Sequence, residues 1–444
     1  MAGYPTRRRV LAGLAATLAA PAVARANTPT DTDVVIVGAG AAGLAAARTF
    51  TRFKVPFVCL EARERIGGRA YTDDGIFGAP VDFGCAELHH ARFNPWVKYA
   101  EKSGFAVGPL PPSEANAIYD GDSQVDDATS ARIEAEFGRH KSALVTACRQ
   151  GRDISAATAF AGMPVGRWTR SMRNWLGPIA TGQDVDRIST VDWCSGVAGQ
   201  DWFAPAGFGA IIAHYGRAVP VTLNAPVSSI KWGPAHVDVI SSKGRLRARL
   251  ALITVPVGVL TAEAIAFAPA LPEWKRAALG GMDMSHYLRV LLKLDVTALD
   301  QPFGSWVTAR MDGGEGFSFW VDPGGHGVTH AIAGGRFAAE LELAGDDVSA
   351  DLAMGALAAM FGSKIRRGLT DSFATVWSQD PFSRGAWAAA KPGYAAARKL
   401  LSKPVGERLY FAGEADHAEF WGTAGGAAIA GSIVAKRIVD KLRV

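Results

Sequence analysis

Gly38, Gly40 and Gly43, followed by the carboxylate of Glu61, stand at a spacing suited to holding the diphosphate and ribose of a dinucleotide. A short apolar run from Asp33 to Val37 breaks at Gly38, the chain turns through Gly40 and Gly43, and an Ala-rich helix starts at once. Gly38 permits the tight turn, Gly40 admits a pyrophosphate close to the backbone, and Gly43 lets helix and strand pack closely. The helix N-terminus offers unpaired N–H groups and a positive dipole end to the phosphates. A second strand, from Val55 to Leu60, ends at Glu61, about 20 residues on, where this fold places the acid that accepts hydrogen bonds from ribose hydroxyls. Its charge disfavours a 2′-phosphate. The bare glycine motif also fits a plain βα turn; strand, helix and acid together carry the dinucleotide reading.

Directly after comes Glu61-Ala-Arg-Glu-Arg-Ile-Gly-Gly-Arg69. ExxxRxGGR following GxGxxG resembles the flavin-dependent amine oxidase superfamily, which takes in monoamine and polyamine oxidases, L-amino-acid oxidases and flavin histone demethylases. The resemblance implies FAD, with Arg63 and Arg69 against its phosphates, since a guanidinium pairs bidentately with phosphate oxygens. It recurs to the C-terminus. Residues 81–90, with Gly84, resemble the segment beneath the flavin ring. Val227 is expected on the adenine and Thr254 closing over the cofactor. The block GEAxHxxFWGTAGGAAxAG from Gly413 is closest to spermine oxidases and flavin demethylases. There Glu414 would hold the ribitol chain, and Thr423 and Ala424 would approach the pyrimidine edge. Ala386 stands where monoamine oxidases carry the cysteine that tethers FAD, so non-covalent FAD is expected.

The reaction so implied removes a hydride equivalent from the carbon next to an uncharged amine, so the protein supplies mainly a dry, oriented pocket. The resemblance makes Trp387 an aromatic facing the flavin, with Phe420 and Trp421 opposite. Arg289 stands where many relatives have a lysine bonded through water to flavin N5. Lysine gives up a proton when buried and arginine does not, so oxygen or another electron acceptor is left open. His89 aligns with a histidine of spermine oxidases and is expected as a neutral imidazole orienting an amine; Glu87 is a second amine anchor. As strand neighbours, His89 and His90 would point to opposite faces, and no metal is expected. Lys293, four on from Arg289, is a weaker stand-in for the lysine.

The elements that must position these groups imply an α/β fold: a Rossmann-like FAD-binding domain interleaved with an α+β substrate domain, a mixed sheet flanked by helices. Expected boundaries are 31–104, 204–283 and 374–444 for the FAD-binding domain, and 105–203 and 284–373 for the substrate domain. Ile133, Phe137, Leu144 and Cys148, then Trp168, Met172, Trp175 and Leu176, repeat at near-helical spacing and read as core-facing helices. Alternating strands are read at 227–232, 237–241 and from 248, forming a small antiparallel layer, and again at 287–295 and 317–321. A helix is read over 347–361.

The chain has 444 residues and 49% hydrophobic content, enough for two or three cores. Four of its arginines (7, 8, 9 and 25) fall in the first 26 residues, which hold no acid; without them 43 basic residues face 42 acidic ones, so a nucleic-acid footprint is not supported. Residues 1–26 read as a twin-arginine export signal, implying a periplasmic or secreted protein. The apolar run is too short for a membrane span of ~20 residues. Cys59, Cys85, Cys148 and Cys194 show no CxxC pairing, and a disulfide framework is not expected. The expected function is therefore an exported FAD-dependent amine oxidoreductase acting on a polyamine or related amine. An L-amino-acid oxidase, an amine dehydrogenase with another acceptor and a non-catalytic flavin-binding protein are the alternatives. An amino-acid oxidase would need a carboxylate-binding arginine, for which Arg92 is a poor candidate. Oligomeric state is not encoded in any motif.

Overall fold

The structure, a computed structural model, describes residues 31–109, 116–196 and 199–443. The export segment read over 1–26 lies outside them.

The glycine motif folds as read: strand β1 (Asp31–Val37), helix α1 (Ala41–Phe53), strand β2 (Phe57–Leu60). β1 lies between β2 and the strand Gly244–Ile253, parallel to both, with Val37 opposite Leu60 and Ile253. Its apolar run follows from burial on both faces. Val34 and Ile36 join Leu250 and Leu252 in a core with α1 and the last helix, Ala424–Arg443. Val35 and Val37 join Ala251 and Ile253 in the core of the other face.

Gly244–Ile253 is shared between two arrangements. Its first half pairs antiparallel with Val237–Ser241, which pairs antiparallel with Val227–Trp232; its last three residues pair parallel with Leu409–Phe411. The antiparallel layer is therefore present, but the apolar stretch that runs on from 248 to Leu260 divides. The strand ends at Ile253, and a short helix occupies Val257–Thr261.

A second sheet of seven strands runs in the order Asp371–Ala374, Tyr287–Lys293, Val328–Gly334, Ser318–Trp320, Trp306–Ala309, Ala117–Asp120, Ser123–Gln124. All pairs are antiparallel except Trp306–Ala309 with Ala117–Asp120, so the sheet is mixed. Along Tyr287–Lys293 the period of two decides the outcome. Leu288, Val290 and Leu292 enter a core with helices Gly335–Ala344 and Asp346–Phe361, which turns Tyr287 and Arg289 to the other side.

The helical spacing near 133–148 is the helix Asp127–Arg149, capped by the Asp126 carboxylate, which accepts from Thr129 N. The spacing at 168–176 yields Thr169–Asn174 and then a wider π turn, Trp175–Ile179, where Pro178 has no N–H to continue an α ladder. Among the described residues no helix is long and apolar enough to cross a membrane.

Candidate active site

One large cavity, about 1320 Å³, runs between the two sheets, and the cofactor-binding and catalytic candidates read from the sequence all line it except Gly43. Gly43 lies behind the turn, where an added Cβ would fall 1.9 Å from the Gly38 carbonyl oxygen; its part is the close packing of helix on strand. Gly38 turns the chain with φ of +106°.

At the glycine end, α1 begins at Gly40 with no side-chain cap and no acid in its first turn, leaving its amides open to an anion. Glu61, 4% exposed, accepts from Ala39 N through Oε2 (2.7 Å) and from Arg63 N through Oε1 (3.0 Å), so its charge is held by the backbone of the turn. Glu414 accepts from Arg69 and from Ala388 N through Oε1, both at 3.1 Å. Its buried Oε2 has no partner in the structure. An orphaned carboxylate oxygen calls for a donor from a ligand, and a dinucleotide supplies ribose and ribitol hydroxyls. An uncapped helix start, an acid at the end of β2 and this orphan together fit the dinucleotide; Val227 and Gly413 line the wall between them.

Several of the expected cofactor contacts are also bonded within the protein. One guanidinium nitrogen of Arg63, which lines the cavity, donates to Asp380 (2.7 Å) and Ser383 Oγ (2.8 Å), neither foreseen in the sequence. Arg69 likewise spends one nitrogen on the Ala386 carbonyl (2.5 Å) and Glu414. The Thr254 hydroxyl donates to the carbonyls of Val37 and Gly38, locking the glycine turn from behind. The Thr423 hydroxyl accepts from Gly426 N (2.9 Å) and so caps the helix that starts at Ala424. Gly84 is a point of close approach, since a Cβ there would lie 1.7 Å from the Arg69 carbonyl oxygen.

The other end of the cavity is aromatic and charged. Tyr287 and Trp387 pack with ring centroids 5.1 Å apart. Phe420, Trp421 and Trp306 add apolar wall, and Glu87, His89 and Arg289 add charge. Arg289 is 6% exposed and bonds through one nitrogen to His330 Nδ1 (3.3 Å). Lys293 does not line the cavity: four residues along the strand is about 13 Å, and its ammonium is held by the His326 carbonyl. Arg92 is exposed and lies over Phe93, outside the cavity.

The surroundings of His89 favour its charged form over the neutral imidazole expected from the sequence. Burial pulls its pKa down, but the hydrogen bond to Asp201 (3.0 Å) and the Glu87 and Asp201 charges outweigh that and raise it to about 9. Its side chain is 46% accessible because it faces the cavity rather than the outer surface. The strand ends at Leu88, so His89 and His90 sit in a turn and both line the cavity. Both ring nitrogens of His90 are buried without partners. Burial and the Asp82 charge push the Cys85 thiol, on the same wall, up to about 12, so it stays protonated and is a poor nucleophile towards a cofactor. Among the described residues no cluster of His, Cys, Asp or Glu is placed to hold a metal.

Tyr287 follows from the sequence once Arg289 is chosen, being two residues away on the same strand face. Asp201, Asp380 and His330 carry no local signal; only the fold brings them in.

A sheet whose parallel half is built to hold a dinucleotide, with a second sheet closing an aromatic, charged wall in front of it, defines a dinucleotide-dependent oxidoreductase. Residues 41–439 match the family described as flavin containing amine oxidoreductase, and the chain belongs to that family. It is an FAD-dependent amine oxidoreductase of α/β architecture. Polyamine oxidase 4 of Oryza sativa subsp. japonica is 27% identical over 89% of this chain and 86% of its own length. Lysine-specific histone demethylase 1 homolog 3 of Arabidopsis thaliana is 26% identical over 93% of this chain, which spans 30% of that longer protein. Among solved structures, wild-type putrescine oxidase bound to putrescine shares the fold, with a TM-score of 0.76 and 18% identity over 92% of this chain and 99% of that one.

Proposed function

We propose that the chain oxidises a polyamine or a related primary or secondary amine, with Glu87 anchoring a substrate ammonium while the neighbouring nitrogen enters uncharged between Tyr287, Trp387 and Phe420. The observation that carries this reading is that the Glu87 side chain lines the same cavity as the Tyr287–Trp387 pair. Non-covalent FAD, held at Gly38, Gly40, Glu61, Arg69, Val227, Gly413 and Glu414, would accept a hydride from the carbon next to the nitrogen, leaving an imine that water hydrolyses. The aromatic walls exclude water and favour loss of the amine proton. Glu87 spaces the reacting nitrogen from the next one along the substrate, and the names of the polyamine oxidase relatives support a substrate with several nitrogens.

Anaerobic mixing with spermidine and with a simple monoamine tests the reading: spermidine bleaches the bound flavin rapidly and the monoamine slowly. A flavin that no amine bleaches would sink it. Readmitting air then identifies the acceptor. Arg289 in place of lysine favours slow reoxidation, and hence an electron acceptor other than oxygen.

The basic, apolar stretch over 1–26 supports export through the twin-arginine route to the periplasm or beyond. Replacing Arg8 and Arg9 together by Lys should leave the protein in the cytoplasm on cell fractionation, whereas an ordinary secretory leader would tolerate the change.

A further inference from the structure

Arg289 brings a positive charge to the cavity wall with no acid among the described residues in ion-pair contact with it. Among the described residues it forms no ion pair, and its one side-chain hydrogen bond runs to His330 Nδ1 at 3.3 Å. A guanidinium only donates, so Nδ1 must accept and the imidazole proton sits on Nε2. Strand register makes the contact possible. Arg289 lies opposite Ile332 and Leu291 opposite His330, so the two side chains are diagonal neighbours on one face. His330 is 3% exposed and does not line the cavity. Trp320 packs against it edge-on at 5.6 Å and donates its indole N–H to Gly304 O (3.0 Å). Trp306, on the cavity wall, stacks on Trp320 at 5.7 Å with planes 5° apart. Burial and the Arg289 charge both hold the His330 pKa well below the ordinary value, so the ring is a permanent acceptor.

We propose that His330 is a positioning residue: it holds the Arg289 guanidinium as a fixed, unpaired cation on the cavity wall, where that cation favours the uncharged form of a bound amine. This rests on the amine-oxidising reading of the cavity. The charged and titratable groups around Arg289 are Asp82, Cys85, Glu87, His89 and Tyr287 besides His330. Glu87 opposes the effect and protonated His89 adds to it. Cys85 and Tyr287 stay neutral through burial, and Asp82 is taken up by Thr72 and by the amides of Phe208 and Gly209.

The test uses the FAD-loaded chain and its His330→Ala, His330→Asn and Arg289→Ala variants, with the Ala pair combined. In His330→Ala the acid limb of the rate of anaerobic flavin reduction by saturating spermidine moves to higher pH, and the rate at neutral pH falls about tenfold. His330→Asn, whose amide oxygen accepts the same bond, recovers part of the loss. His330→Ala adds nothing once Arg289 is Ala. A second readout needs no turnover: the pH at which oxidised bound FAD loses its ring N–H proton, followed by absorbance, rises in both His330→Ala and Arg289→Ala. An unmoved limb and an unmoved ring titration in His330→Ala, with FAD content and melting temperature kept, overturn the proposal. So does an equal His330→Ala effect with and without Arg289. A flavin that no amine reduces refutes the amine reading instead, and the ring titration still decides the role of His330.

Discussion

Asp201 sits 112 positions after His89 in the chain and nonetheless, together with Glu87, favours its charged form. One carboxylate oxygen meets His89 Nδ1 and the other accepts from His90 N at 2.9 Å, so the acid organises the whole turn. Burial raises the Asp201 pKa, but the His89 bond and charge and the His90 amide carry it below the usual range. The linkage sign follows from the raised His89 value. Its stabilising contribution is complete below the unfolded value of about 6.5 and is lost as pH rises through about 9. Solvent in the cavity screens the pair, so the effect on stability is small. Asp201→Asn removes the charge, and His89 should then titrate far lower. Carbon-13 labelled histidine followed by NMR against pH measures this directly, and a His89 that titrates near 6.5 in both proteins would rule out the pair as described. Glu87 and His89 are readable as cavity groups because they lie within one short motif. The charge on His89 is readable only in part, because Glu87 lies in the same motif whereas Asp201, the other cause, arrives from 112 positions further along the chain.

Among the elements, those with a strict period or an obligatory glycine are legible in the sequence: β1, α1, β2, the helix Asp127–Arg149 and the strand Tyr287–Lys293. The strands Val328–Gly334, Trp306–Ala309 and Asp371–Ala374 are not. Val328–Gly334 is buried at every position, so no alternation marks it, and His330 is hidden with it. Gly84 shows what an element demands of a single residue. The 83–85 segment crosses so close under the Arg69 carbonyl that a Cβ at Gly84 has no space, whereas a Cβ at Gly413 meets nothing within 4 Å. Gly84→Ala must push backbone against backbone, and a loss of about 3 kcal/mol or more is expected in thermal or urea unfolding of the apoprotein. Gly413→Ala should leave apoprotein stability within about 0.5 kcal/mol and lower FAD affinity, because its methyl projects into the cavity the cofactor needs. Equal melting temperatures for Gly84→Ala and the parent protein would contradict the close approach.

At the scale of the whole molecule, the insertion through residue 196 and the C-terminal block are joined by a buried ion pair. Asp192, on the helix Thr190–Ser195, receives Arg398 in a fork of two bonds, Nε to Oδ1 at 2.7 Å and a terminal nitrogen to Oδ2 at 2.6 Å, with both side chains 4% exposed. The remaining capacity is filled. Arg398 also donates to the carbonyls of Ala415 and Ala388, Asp192 accepts from Ala390 N at 2.8 Å, and the guanidinium lies 4.6 Å from the Trp421 ring centroid. Desolvating two charges costs nearly what their attraction returns, so the pair as a whole adds little stability. Removing one member is different, because the other is left buried and unpaired. Arg398→Met should lower unfolding free energy by about 3–5 kcal/mol. Asp192→Asn keeps an acceptor but strips the charge and should cost less. Combining the two should cost clearly less than their sum, since the stranded charge is no longer there to be penalised. Ala415 and Trp421 line the cavity, so Arg398→Met should also loosen bound FAD, readable as a rise in flavin fluorescence before global unfolding in urea. A strictly additive double variant would mean that the two side chains act independently, and the coupling between insertion and C-terminal block would have to be sought in the apolar contacts around them.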